Sequence, residues 1–242
     1  NKGNRDFDRA LFGHIGFVIS NTARTFFTAI TGSRLIACDA QPAVRHYYQR
    51  LSRMSAAFAL LSDLFMLVLG GSLKRKEKLS GRLADILSHL YLASASLKHF
   101  HDQGRPESQR AFLDWTCTYA ANQVEEALLG VLENFPNRVA AGLTRAVAFP
   151  LGASRSKLKD RQIDAVAEVV MSDGPARDDL CAVIYMPASN NPGMGALEQA
   201  LKKVIAAAPA REKLEKARKE GRLNKASQIE MARAASDAGI LS

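Results

Sequence analysis

The chain has 242 residues, 47% of them hydrophobic and 24% charged, enough apolar content to bury one large core or two modest ones, so disorder is excluded as its default state. Lys and Arg outnumber Asp and Glu by 33 to 24, a net charge of +9; this invites an anionic partner without choosing among nucleic acid, phospholipid headgroups and a phosphorylated coenzyme. Cys38, Cys117 and Cys181 are odd in number and widely spaced, with no CxxC or His-Cys grouping, which excludes a disulfide framework and a chelated metal and fits a reduced compartment.

In chain order, a first helix is predicted from Asp6 to Ile30, burying Phe7, Leu11, Ile15, Val18 and Phe26 and ending at Thr31-Gly32-Ser33. A second starts at Pro42, whose missing N–H is harmless in a first turn, and runs to Leu69. Leu51, Met54, Phe58, Leu61, Phe65 and Val68 recur on it at alternating three- and four-residue steps. Gly70-Gly71 stops it. A third helix to Asp102 repeats the pattern with Leu79, Leu83, Ile86, Leu90, Ala93, Leu97 and Phe100, so the two form an antiparallel hairpin about 40 Å long with one shared seam.

After the turn at Gly104-Arg105-Pro106, a fourth helix spans Glu107 to Asn134 with Cys117, Ala120, Val124, Leu128 and Val131 on one face, and a shorter one covers Arg138 to Phe149. Beyond Gly152 the segments shorten: Asp160 to Met171, Arg177 to Met186, Leu197 to Ala208, Arg211 to Glu220 and Ala226 to Ala235. Ala182-Val183-Ile184-Tyr185 is the best strand candidate and is only four residues long. The expected fold is all-α: an antiparallel bundle of long helices over 1–152, then a smaller set of short helices over 153–242. The apolar run from Ala56 to Gly71 carries Ser62 and Asp63 and falls short of the ~20 residues of a membrane span. Asn1 and the lack of a signal-type leader suggest an internal fragment.

No short motif assigns catalysis. Gly70-Gly71-Ser72 before Lys74 fails the phosphate-loop spacing, and Pro192-Gly193-Met194-Gly195 reads as a turn before a helix. His99 and His101 fall on different helix faces, which disfavours shared metal ligation, and no nucleophile elbow is present. Asp63 and Asp85 point away from the seam and are expected in solvent or in salt bridges rather than in catalysis. No catalytic, cofactor-binding or metal residue is therefore assigned from these motifs.

Two cationic patches stand out: Lys74, Arg75, Lys76 and Lys78 beside Glu77, and Lys202 to Lys225 with nine Lys or Arg against three Glu. Both serve solubility at the least. The second has no aromatic residue, which argues against nucleic-acid binding; contact with an anionic membrane is the better use of such charge, at roughly 1 kcal/mol per residue. From Leu64 to Leu69 the second helix is apolar on nearly every side, so Leu64, Phe65, Leu67 and Val68 form a candidate interdomain face needing cover from a catalytic core, a second subunit or lipid.

Residues 55–100, with HIGFVISN at 14–21, ENFPNRVAAGL at 133–143, FPLG at 149–152 and NPGMGALEQALKKVIAAAP at 191–209, resemble in order and number the C-terminal helical domain of bacterial medium- and long-chain acyl-CoA dehydrogenases, the flavoenzymes that open each round of fatty-acid β-oxidation. The resemblance spans roughly Phe7 to Leu241. It implies a full-length enzyme that oxidises fatty acyl-CoA to trans-2-enoyl-CoA, with FAD as acceptor and an electron-transfer protein to reoxidise it. The glutamate base and the flavin contacts of such enzymes lie in the preceding catalytic core, so this region would be a non-catalytic accessory. Its implied partners are its own catalytic core and the acyl-CoA substrate, with a homodimer mate and the membrane surface as further candidates and no nucleic acid. Its implied place is the cytoplasm or the inner face of the membrane. The rival reading is a stand-alone helical module that binds an anionic membrane or a partner helix.

Overall fold

A computed structural model describes residues 2–153, 157–223 and 227–239. Among them are α1 (Lys2–Ile30), α2 (Pro42–Val68), α3 (Glu77–Asp102), α4 (Arg110–Asn134), α5 (Arg138–Ala148), α6 (Asp160–Met171), α7 (Pro175–Cys181), α8 (Met194–Lys219) and α9 (Gln228–Asp237), with short 3-10 helices at Gly70–Arg75 and Glu107–Gln109 and no strand. The all-α class read from the sequence is what the structure shows. Two compact units divide the chain, Asn1–Val166 and Ala167–Ser242. The division falls inside α6, later than the expected break after Gly152, because Gln162 ties the first turns of α6 to α4 through hydrogen bonds to Thr118 Oγ1 and the Asp114 carbonyl.

The first unit is built on heptad-spaced seams. Val44, Tyr47, Leu51, Met54, Leu61 and Phe65 of α2, Leu79, Ile86, Leu90, Ala93, Leu97 and Phe100 of α3, and Leu113, Cys117, Ala120, Val124, Leu128 and Val131 of α4 are buried in one core. The three- and four-residue steps keep each stripe on one side of its helix. Burying a side chain of this size contributes roughly 1.5–3 kcal/mol each, which is why tertiary packing rather than propensity holds these helices. Direction follows from paired residues. His89 meets the Tyr119 ring and Arg82 lies at Gly130, so α3 and α4 are antiparallel. Tyr47 bonds Asp114, and Phe65 meets Phe135 just past the end of α4, so α2 and α4 run the same way. α5 begins at Asn137, whose side chain accepts from the Ala140 amide, and returns so that the Ala148 carbonyl and the Phe149 ring reach Arg53. α2 is the one helix among the described residues long and apolar enough to cross a membrane, yet the bundle already buries 39% of its most apolar window.

In the second unit, α7 is fixed to α8 by the Arg177–Glu198 ion pair at 2.7 Å. Leu214, Ala217, Leu223 and Ala235 form a small core between α8 and α9. The Ser227–Glu230 capping box starts α9. Two expectations are corrected here. α8 runs unbroken through Pro209, replacing the two helices expected at Leu197–Ala208 and Arg211–Glu220: one missing N–H is tolerated where alanines of high helix propensity flank it. The short helix expected at Arg177 to Met186 is instead Pro175–Cys181, and Ala182 to Tyr185 after it is a turn and irregular chain. Ala226 of the expected last helix and Lys225 of the cationic segment lie outside the described residues.

Candidate functional site

α1 departs most from expectation. Its last turns pack on the bundle: Asn21, Thr25, Thr28 and Ala29 are buried, and the Asn21 amide donates to Asp63 on α2 at 3.0 Å. Asp63 therefore has an interhelical partner. Residues 5–17 are bare. Phe7, Leu11 and Ile15, expected in the core, are exposed, and so is Phe26; Val18 alone of that set is half-buried. The expectation failed because amphipathic spacing says that a stripe will be covered without saying by what.

The exposed residues form a pattern of their own. Phe12 (69% exposed), Ile15, Ile19 (63%), Phe26 and Ile30 follow steps of three, four, seven and four. At 3.6 residues per turn they share a sector of about 60° along about 27 Å of helix. That is the spacing and length of a helix–helix seam with its second helix missing. The signal was legible as a heptad, and only its partner was not.

The hairpin end between α2 and α3 holds the residues predicted as a site. Gly70, at φ +46, ends α2 and opens the 3-10 turn. Leu64 is half-buried against the core. Phe65 is 1% exposed, its ring 5.2 Å from that of Phe135. This removes Phe65 from the candidate interdomain face: it sits in line with Leu61 on the seam and is already covered. Leu67 is 80% exposed, with Met66 and Val68 also open to solvent. Lys74, Arg75, Lys76 and Lys78 are all exposed, and no ion pair engages them among the described residues. The structure thus brings three uncovered apolar side chains and four cations to one end of a helical hairpin.

A polar seam that the sequence did not disclose lies between α2 and α4. The Tyr47 hydroxyl donates to Asp114 at 2.8 Å, and Arg110 Nε donates to the same carboxylate oxygen at 2.7 Å. Burial, then the bond to Asp114, raises the Tyr47 phenol above its usual range. Arg50 donates to Asn122 at 3.0 Å and stands 3.7 Å from Glu125; burial lowers its pKa while Glu125 opposes that shift. Ser33, in the turn after α1, is 1% exposed with φ +66. Its hydroxyl has no hydrogen-bond partner among the described residues. An unpaired buried hydroxyl costs about 1–3 kcal/mol and a left-handed non-glycine residue a similar amount, so two unfavourable features coincide at one residue.

Cys117 is buried in the core, and burial pushes its thiol up to about 12. Native protein treated with iodoacetamide at pH 8 is expected to keep Cys117 unmodified while the partly exposed Cys38 and Cys181 react; peptide mass mapping reads this directly. Among the described residues no three His, Cys, Asp or Glu side chains are grouped to hold a metal ion.

No solved structure matches the chain significantly. The family model described as acyl-CoA dehydrogenase, C-terminal, bacterial type, matches residues 1–242, the whole of it. A helical bundle with a bare helical seam at its start and that match along its full length belongs to the bacterial-type acyl-CoA dehydrogenase C-terminal family.

Proposed function

We propose that this chain is the C-terminal accessory region of an FAD-dependent acyl-CoA dehydrogenase acting on medium- to long-chain fatty acyl-CoA, and that the bare stripe of α1 seats on the enzyme's own catalytic core. The observation that carries this reading is the uncovered seam of Phe12, Ile15, Ile19, Phe26 and Ile30. An exposed apolar surface of that length marks an interaction site on a soluble domain, and its helical spacing asks for a helical partner. FAD, the base that removes the substrate α-proton and the docking of an electron-transfer protein belong to the core in this reading; no step of the reaction is assigned to a residue of this chain. The reading places the enzyme in the cytoplasm, with oligomer contacts as a further use of the same apolar surfaces. The test is flavin content and oxidation of palmitoyl-CoA with a dye acceptor by the full-length protein. Bound flavin with turnover is expected; a colourless protein inert toward acyl-CoA overturns the reading.

A second reading rests on the hairpin end. Met66, Leu67 and Val68, flanked by Lys74, Arg75, Lys76 and Lys78, have the makeup of a peripheral membrane contact, an apolar wedge with a cationic collar. Replacing the four cations by glutamine is expected to lower retention of the full-length protein on phosphatidylglycerol vesicles by at least tenfold. Unchanged retention would remove the collar from the account.

A further inference from the structure

The turn after α1, the first turns of α2, the start of α4 and the start of α6 enclose a cleft of about 700 Å³. Its walls carry Arg50, Arg110, Lys157, Lys159 and Arg161. Against these five cations stand Asp114 in the cleft and Glu125 beside Arg50, so three positive charges remain. Lys157, Lys159 and Arg161 make no ion pair among the described residues.

The cleft is held in shape. Gln162 fastens the approach to α6 with one donor group shared between Thr118 and the Asp114 carbonyl, and its side-chain oxygen accepts from the Lys159 amide at 3.2 Å. Across from it, Gln49 donates to the Arg34 and Ile36 carbonyls and fixes the turn that holds Ser33. Ser33 lines the same cleft, buried, left-handed and with its hydroxyl unpaired. The first turn of α6 also opens here, and a helix N-terminus favours negative charge.

We propose that this cleft is a binding site for a phosphomonoester group. The unpaired guanidinium fork of Arg161 and the ammonium groups of Lys157 and Lys159 match the charge of a dianionic phosphate, and a small shift of the 31–36 turn turns the Ser33 hydroxyl into a donor to one of its oxygens. The Ser33 hydroxyl is what distinguishes a ligand site from a cationic surface: it is one of two buried hydroxyls, with that of Thr25, left without a partner among the described residues, and it is the one that lines this cleft. The phosphate can be that of a soluble nucleotide or of a lipid headgroup. The site stands whether or not α1 docks on a catalytic core.

The experiment uses the full-length protein at low salt, with inorganic phosphate and adenosine 3′,5′-bisphosphate titrated by calorimetry and vesicles of phosphatidate in phosphatidylcholine tested by co-sedimentation. Lys159→Gln/Arg161→Gln removes two exposed, unpaired cations and is expected to weaken binding at least tenfold with the melting temperature unchanged. Ser33→Ala is expected to weaken it about fivefold without lowering the melting temperature, since the hydroxyl has no partner to lose. A response confined to the soluble probes assigns a nucleotide-type ligand, and one confined to phosphatidate vesicles assigns a lipid headgroup. A phosphate site elsewhere in the protein would be indifferent to these substitutions. Equal affinity in the double variant, or no saturable binding of any probe, overturns the proposal.

Discussion

Placing a charge at each of two points on the α1 stripe, Phe12→Asp with Ile19→Asp, is expected to release this region from the catalytic core. Both side chains are well exposed within their own unit, so the bundle has no reason to unfold when they change. In a dry seam each carboxylate would have to be desolvated without a partner, at several kcal/mol per ion. Two together exceed what an intramolecular contact of one helix length supplies, since hot-spot side chains contribute about 2 kcal/mol or more each. The measurement is limited proteolysis of the full-length enzyme followed by gel filtration. Nicked wild-type protein should elute as one species with both fragments, and the variant as two separate ones. Co-elution of the variant's fragments would show that α1 is not the contact.

The largest loss of stability is expected from Phe65→Ala. Phe65 is almost fully buried and meets Phe135 beyond the end of α4, joining α2 to the segment that turns into α5. Removing the ring leaves a cavity at a junction of three elements, and substitutions of this kind cost about 3–5 kcal/mol, a large share of a domain's net stability. Chemical denaturation followed by tryptophan fluorescence suits the test, because Trp115 is stacked on Tyr119 in the same unit at 5.0 Å. A midpoint shift worth less than about 1 kcal/mol would mean that the site collapses around the gap and that the Phe65–Phe135 contact is not a keystone of the bundle.

The long-helix bundle was legible because its order is local. On α2, α3 and α4, three- and four-residue steps name the buried side, and the turns at Gly70 and Gly104, both at positive φ, mark where each helix must stop. The same rule misled at α1. Phe7, Leu11 and Ile15 satisfy the pattern, but periodicity reports a face and not its partner, and among the described residues nothing covers that face. Phe65 shows the reverse error. Among the apolar residues 64 to 69 every side looks alike, so Phe65 counts toward the open face although it also falls on the Leu51–Leu61 stripe; its packing on Phe135 shows that the stripe governs, while Leu67 stays out. Pro209 looked like a helix end because a missing N–H is a local fact, whereas the surrounding propensity that carries α8 through it is a sum over many residues. The cleft at Ser33 could not be read at all: Ser33, Arg50, Arg110 and Arg161 are far apart in sequence, and only the bundle's topology brings them together.

The claim that α1 seats on a catalytic core is tested most directly by hydroxyl-radical footprinting of the full-length enzyme. Phe12 and Phe26 are compared with Tyr91 on α3, which is exposed on the bundle surface, each rate normalised to the intrinsic reactivity of its side chain. The account predicts that Phe12 and Phe26 are strongly protected while Tyr91 reacts as an exposed residue. Labelling of Phe12 and Phe26 at the rate of exposed phenylalanine would show that the stripe stays bare in the whole enzyme, and would contradict the account.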